Sequence, residues 1–181
     1  VFEVNYREEL QAVLNTNAGS VKTLFLRAGE YRLKQSLTIP SDIHICGEGR
    51  STVLICEPTI RTAAILLGDL DAKNITIENL VVDGSKEHQE AYDPNSGRFY
   101  RTGRYSNALA GISMRGEAGH AFSNIKLKNL TVINFSRSGV YISDAEGIEI
   151  DHCDFTENGG NVVSFTSLQY NLMIHHSYNF M

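Results

Sequence analysis

The chain has 181 residues, 42% hydrophobic and 20% charged, with 15 Gly, 3 Pro and a formal net charge of −5. That is enough for one well-buried domain and short for two. The acidic balance argues against a nucleic-acid surface, which needs a basic stripe, and no run approaches the roughly 18 consecutive apolar residues of a membrane-spanning helix. Cys46, Cys56 and Cys153 are an odd number without CxxC spacing, so neither a disulfide framework nor a zinc site is indicated. No cofactor is expected; Asp69, Asp71 and Asp83 are conceivable calcium ligands, but no ligand spacing supports them. Val1 in place of an initiating Met fits a leader already removed, or trimming.

Near the start, "NYREELQAVLN" (5–15) places Leu10, Val13 and Leu14 at helical spacing, with Asn5 as N-cap and Glu8 three residues on. Such a helix, within an N-terminal cap over 1–22, would cover strand edges that otherwise recruit another chain. Next come "TLFLRAGEYRL", "SLTIPSDIHICGEG" and "STVLICEP", short strands punctuated by Gly and Pro.

The remainder repeats. "NITIENLVVDG" from Asn74, "NIKLKNLTVIN" from Asn124, "GIEIDHCDFTEN" from Gly147 and "NLMIHHSYNF" from Asn171 lie over one another. The last three start 23 and 24 residues apart (124 to 147, then 147 to 171), and the first step of 50 (74 to 124) is one repeat plus about one repeat of insertion. Each opens on an alternating pair, Ile75/Ile77, Ile125/Leu127, Ile148/Ile150 and Leu172/Ile174, as expected of strands with one buried face. A second apolar pair follows in three copies, Leu80/Val82, Leu130/Val132 and Cys153/Phe155. A third short strand precedes three of them: "GISM" (111–114), "GVYI" (139–142) and "NVVSF" (161–165). Three short strands per unit predict an all-β fold, a parallel β-helix of about five coils, each burying its apolar face on the next. No unit has the 3.6-residue spacing of a helical solenoid.

"LFLRAGEYRLKQSLTIPSDIHICGEGRSTVLI" resembles the opening of the pectate-lyase-like superfamily of right-handed parallel β-helices, where "PAGxY", "sLxIP" and "GxGxxxTVL" mark the first coils after a capping helix. The motifs cover residues 2–57 and the periodicity covers the rest. The resemblance implies the fold. For activity it implies a range: polysaccharide lyases, glycoside hydrolases, uronate epimerases, tailspikes and non-enzymes.

"GIEIDHCDFTENGG" (147–160) gathers His152, Cys153, Asp154 and Glu157, side chains able to bind metal or move protons. Its place in the repeat gives a structural reading. His152 aligns with Asn79, Asn129 and His176 at a bend between strands, where Asn tolerates left-handed geometry and bonds neighbouring backbone. Such residues should form a polar ladder about 4.8 Å apart. Cys153 fills the inward slot of Leu80 and Leu130 as a small hydrophobe. The outward columns Thr76, Lys126, Glu149, Met173 and Glu78, Lys128, Asp151, His175 should form ion pairs between neighbouring strands. The Asn-x-Ser/Thr matches at Asn74, Asn129 and Asn134 read as bend chemistry rather than glycosylation.

Chemistry is expected where regularity breaks. The insertion 84–119 holds Tyr92, Tyr100 and Tyr105 with Arg98, Arg101 and Arg104. Tyr faces stack on sugars and Arg forks pair with carboxylates, so Arg98, Tyr100, Arg101, Arg104 and Tyr105 are candidate substrate-binding residues; alternatively the segment is a protective flap. It should lie over the face of "GISM", whose outward residues include Ser113, Arg115, Tyr141, Ser143, Ser164 and Thr166. Arg115, Tyr141, Asp144 and His120 are the candidate catalytic residues. Elimination on a uronate needs a cation, a base and an acid, roles for Arg115, Tyr141 and His120. Hydrolysis needs two carboxylates, for which Asp144 with Glu146 or Glu117 is available. Tyr141-x-x-Asp144 and "NSGR" also resemble mannuronan C5-epimerase-type β-helices, although Glu146 stands where those enzymes carry histidine.

The expectation is a secreted, periplasmic or surface carbohydrate-active enzyme on an acidic polysaccharide, by β-elimination or hydrolysis. A non-catalytic glycan-binding adhesin or tailspike-like module and a C5-epimerase are the alternatives. The apolar "HHSYNFM" end suggests further coils or oligomerisation there, with the chain the N-terminal part of a longer β-helix.

Overall fold

The computed structural model describes residues 1–5, 8–17, 19, 22–67, 71–85, 90–93, 98–101, 109–115, 120–165 and 169–177, with backbone only for 17, 90–93, 98–101, 165 and 169–170. Its one α-helix among these, α1, runs Leu10–Asn17. The strands are β1 (Phe2–Val4), β2 (Thr23–Leu26), β3 (Gly29–Leu33), β4 (Leu37–Ile39), β5 (Ile43–Gly47), β6 (Thr52–Cys56), β7 (Ala63–Leu67), β8 (Lys73–Asp83), β9 (Glu90–Asp93) and β10 (Arg98–Arg101). They continue with β11 (Ala110–Arg115), β12 (Phe122–Ile133), β13 (Ser138–Ser143), β14 (Ala145–Asp151), β15 (Val163–Phe165), β16 (Gln169–Tyr170) and β17 (Met173–His175).

Two parallel sheets carry the structure. The larger runs β1-β2-β5-β8-β12-β14-β16, with β17 also on β14 and β3 joined through β6 to β8; the smaller runs β15-β13-β11-β7-β4. The register is the one the repeat implies. Ile75 pairs with Ile125 and Ile125 with Ile148, Ile77 with Leu127 and Leu127 with Ile150, and Leu80 and Val82 with Leu130 and Val132. In the smaller sheet Ile112 pairs with Val140 and Val140 with Val163, and Met114 with Ile142. These inward columns form the core: Ile75, Ile125, Ile148, Ile112 and Val140 are fully buried.

The bends explain the polar residues between the columns. Asn79, Asn129, His152 and His176 have φ of 56°, 50°, 51° and 44°, the left-handed region that Asn tolerates best. Their neighbours in the preceding bend, Asn74 and Asn124, are likewise left-handed. Side-chain amides link successive strands: Asn124 Nδ2 donates to Asn74 Oδ1 at 2.8 Å, Asn74 to Asp42 at 2.7 Å, Asn129 to Asn79 at 3.1 Å and Asn134 to Asp83 at 2.8 Å. The three asparagines of the Asn-x-Ser/Thr matches are thus occupied in the repeat.

The opening motifs acquire physical meaning. The Tyr31 hydroxyl, buried, bonds the carbonyls of Val4 (2.8 Å) and Arg27 (2.9 Å), tying β1 to the start of β3, and burial pushes the phenol up to about 12. Thr52 Oγ1 accepts the Glu48 N–H at 2.9 Å and donates to the Leu26 carbonyl at 3.2 Å. A Cβ on Gly47 would lie 2.5 Å from the Asn79 carbonyl, and Gly49 sits at φ +71°, so both glycines of "GEG" are dictated by local geometry.

Three expectations are corrected. The helix begins at Leu10 rather than near Asn5, and Phe2–Val4 ahead of it pairs into the large sheet beside β2. Glu8 does reach back to the Asn5 N–H at 3.2 Å, but one turn ahead of the helix. The Gln11 amide instead meets the end strand of the smaller sheet, accepting from Thr38 N at 2.7 Å and donating to Thr38 O at 3.3 Å. The insertion contains an antiparallel pair, β9 with β10, Phe99 opposite Tyr92. Finally, the outward charges pair diagonally as well as directly: Lys128 Nζ reaches Glu149 at 2.8 Å rather than its register partner Asp151, and Lys126 lies 3.7 Å from the same carboxylate.

Candidate functional site

The expected site lies at the C-terminal end of the smaller sheet. Arg115 closes β11 with an exposed side chain and stands in register with Ser143; Ser113 stands beside Tyr141, and Tyr141 beside Ser164. Because Ile112, Met114, Val140 and Ile142 take the inward slots, alternation turns Ser113, Arg115 and Tyr141 outward. Tyr141 is half-buried against that face.

Asp144 is the bend that follows β13, at φ 50°. Its carboxylate accepts a 2.9 Å bond from the buried Ser143 hydroxyl, and its carbonyl accepts the Phe122 N–H at 3.1 Å. Both contacts fix the turn between β13 and β14. Two residues before Phe122, His120 Nδ1 lies 2.9 Å from Asp71 Oδ2. Asp71, His120 and Asp144 therefore each lie on a connection that leads from the smaller sheet into the larger. Register sets Arg115 beside Ser143, the residue before Asp144, with Tyr141 two residues earlier on β13. His120 sits one turn away, engaged by Asp71. Glu146 is exposed on β14 beside Ser123.

The candidate binding residues divide. Arg98, Tyr100 and Arg101 belong to β10, where Arg98 pairs with Asp93 and Arg101 with Glu90. Arg104, Tyr105, Glu117, Thr166 and Asp69 lie outside the described residues. Asp83 Oδ1 accepts the Ser85 N–H at 2.7 Å as well as the Asn134 amide. Among the described residues, Asp71 and Asp83 belong to no group of three close metal-ligating side chains.

Two such groups exist elsewhere, and sequence reasoning passed over both. Asp151, His152 and His176 meet at one bend, with Asp151 Oδ1 2.8 Å from His152 Nδ1 and 3.4 Å from His176 Nδ1. His44, Cys46 and Glu78 meet on the outward face of β5 and β8, with His44 Nε2 2.8 Å from Glu78 Oε1. The legible signal was there: His44 and Cys46 are two apart on one strand, and Glu78 heads an outward column of the repeat.

"GIEIDHCDFTENGG" borders a cleft of about 360 Å³ running past Asn79, Asn129, His152 and Asp154, with Arg50 Nη2 3.7 Å from Asp154 Oδ2. Cys153 is fully buried, and burial pushes its thiol up to about 11. It packs in the Leu130 column, as the bridge from Thr131 to Asp154 shows. Its sulfur is core.

No family model matches the chain, and no curated protein matches it. Solved structures do. ORF18 of Geobacillus virus E2 aligns at a TM-score of 0.61 with 15% identity, over 97% of this chain and 42% of that one. The mannuronan C-5 epimerase AlgE6 A-module of Azotobacter vinelandii aligns at 0.57 with 14% identity, over 94% and 51%. The catalytic domain of GH87 alpha-1,3-glucanase aligns at 0.57 with 13% identity, over 98% and 38%. The chain spans about half or less of each of these structures. It shares their fold, the right-handed parallel β-helix, as its opening motifs implied. No helix among the described residues is long and apolar enough to cross a membrane.

Proposed function

We propose that this chain is part of a secreted, polysaccharide-acting β-helix of about five coils, closed at its N-terminal end by α1, with its reaction centre at Arg115, Tyr141, Asp144 and His120. The observation that carries the reading is the register of β11 with β13: Arg115 stands opposite Ser143, whose hydroxyl bonds the Asp144 carboxylate, and Ser113 stands opposite Tyr141 on the same outward face. A uronate carboxylate is the natural partner of an exposed guanidinium, bidentate and charge-assisted.

On such a substrate Arg115 would neutralise the carboxylate, lowering the cost of the carbanion formed at C5. Tyr141 would take the C5 proton as the base, and His120, held at Nδ1 by Asp71, would give a proton to the leaving oxygen as the acid. The likeness to an epimerase module and the Tyr141-x-x-Asp144 spacing support a close variant, in which the acid reprotonates C5 from the opposite face and no glycosidic bond is cut.

A non-catalytic reading draws on the cleft along the Asn79, Asn129 and His152 ladder. Its amides, imidazole and Arg50 are polar partners for a glycan. Incubation with alginate, pectate and glycosaminoglycans separates the readings. New ultraviolet absorbance with new reducing ends means elimination, and reducing ends alone mean hydrolysis. A changed uronate composition without chain cleavage means epimerisation. Binding without any product means the module is non-catalytic.

A further inference from the structure

We propose that His44 Nε2, Cys46 Sγ and Glu78 Oε1 form a three-ligand site for a zinc-class divalent cation, with the fourth position open to water or a ligand. The three atoms lie within 4.8 Å of one another. A tetrahedral ion with metal–nitrogen distances of about 2.0–2.1 Å and a metal–sulfur distance of about 2.3 Å holds its ligands roughly 3–4 Å apart, so closing the site takes only rotamer adjustments. The backbone already aims the groups. His44 and Cys46 alternate outward from β5, and β8 places Glu78 directly opposite Cys46.

The surroundings suit a cation. All three side chains are half-buried, so part of the ligand dehydration is met by the fold. Asn79 Nδ2 donates to Cys46 Sγ at 3.5 Å, the kind of outer contact that orients a thiolate ligand. The nearby Lys128 amine is drawn to Glu149 at 2.8 Å. Cys46 holds its proton more tightly than an ordinary thiol, chiefly through burial; an incoming ion would displace that proton, making uptake tighter as pH rises. The donor set of nitrogen, sulfur and carboxylate oxygen favours zinc-like ions over magnesium or calcium. The cluster of Asp151, His152 and His176 lacks sulfur, and its histidine side chains are 54% and 66% exposed, so it serves as an internal control.

The test is titration of the full chain with Co²⁺, followed by competition with Zn²⁺. Cys56 and Cys153 are 1% and 0% exposed, so a thiolate-to-cobalt charge-transfer band reports Cys46. The band is expected in the wild type and in His152→Ala/His176→Ala, absent in Cys46→Ser, and removed by Zn²⁺. Cys46→Ser and, leaving the sulfur in place, His44→Gln should each weaken Zn²⁺ binding by more than the roughly 10–100-fold that loss of an outer-sphere partner costs. Zn²⁺ should also shield Cys46 from alkylation. No charge-transfer band in the wild type, a band that survives in Cys46→Ser, or one lost in the double histidine variant overturns the site.

Discussion

His152 and His176 stack with ring centroids 4.6 Å apart and an interplanar angle of 24°, and Asp151 Oδ1 faces the Nδ1 atoms of both. The spacing is that of adjacent strands. Hydrogen bonds from His152 and then His176 hold the Asp151 carboxyl below the usual Asp range, and a hydrogen bond from Lys128 does the same for Glu149. Groups with depressed folded values stabilise fully above their unfolded values, about pH 4, and lose that contribution as pH falls through the folded ones. Thermal midpoints measured from pH 6 down to pH 2.5 should therefore fall less steeply in Asp151→Asn than in the wild type. Parallel curves would show that the carboxylate adds nothing.

Gly139 lies where the smaller sheet passes an aromatic side chain. A Cβ there would come 2.4 Å from Phe155 Cδ1 and 3.0 Å from the Val162 carbonyl. Phe155 is fully buried and cannot retreat without opening the core. Gly139→Ala is expected to destabilise by about 1–3 kcal/mol through overpacking, read as a lower denaturant midpoint at unchanged slope. A neutral effect would mean that Phe155 packs less closely on β13 than described.

Tyr31→Phe removes one hydroxyl and leaves the Val4 and Arg27 carbonyls without that donor. The expected cost is about 1–2 kcal/mol, and amide exchange in β1 should accelerate more than exchange in β8. Uniform acceleration would argue that Tyr31 acts through general stability rather than by tethering β1.

Cys56 and Cys153 are buried, with thiols pushed up to about 12 and about 11. In the metal-free native protein only Cys46 should react with a thiol reagent at pH 8, and slowly. All three should react after unfolding. Fast reaction of more than one native thiol would contradict the burial of the Cys153 column.

Much of this architecture was legible because a parallel repeat writes its register into the chain. Ile75, Ile125 and Ile148 align in sequence and then pair in space. Asn129 and His152 could be read as bends because left-handed geometry selects few residue types. What stayed hidden depends on side-chain reach or on competition between elements. Lys128 has enough length to choose Glu149 over Asp151, which strand alternation alone does not reveal. The Asn5–Glu8 contact expected of a helix start forms, yet α1 begins only at Leu10, which the spacing of Leu10, Val13 and Leu14 does not reveal. The proximity of His44, Cys46 and Glu78 joins an unaligned early strand to the first repeat, so no single motif contains it. At the candidate site, the position of Asp144 just past the end of β13 follows the repeat, whereas its left-handed φ does not, and the engagement of His120 by Asp71 crosses from one connection to the next.

The most direct measurement compares wild type with Arg115→Ala on the polyuronate that yields most product. Arg115 is exposed, so the variant should keep the wild-type melting profile. If Arg115 neutralises the substrate carboxylate, kcat/KM should fall by roughly 10²–10³-fold, the usual effect of removing one charge-stabilising group. A folded variant that turns over polyuronate at the wild-type rate, or a wild type equally active on a neutral glucan, would contradict a reaction centre built on Arg115.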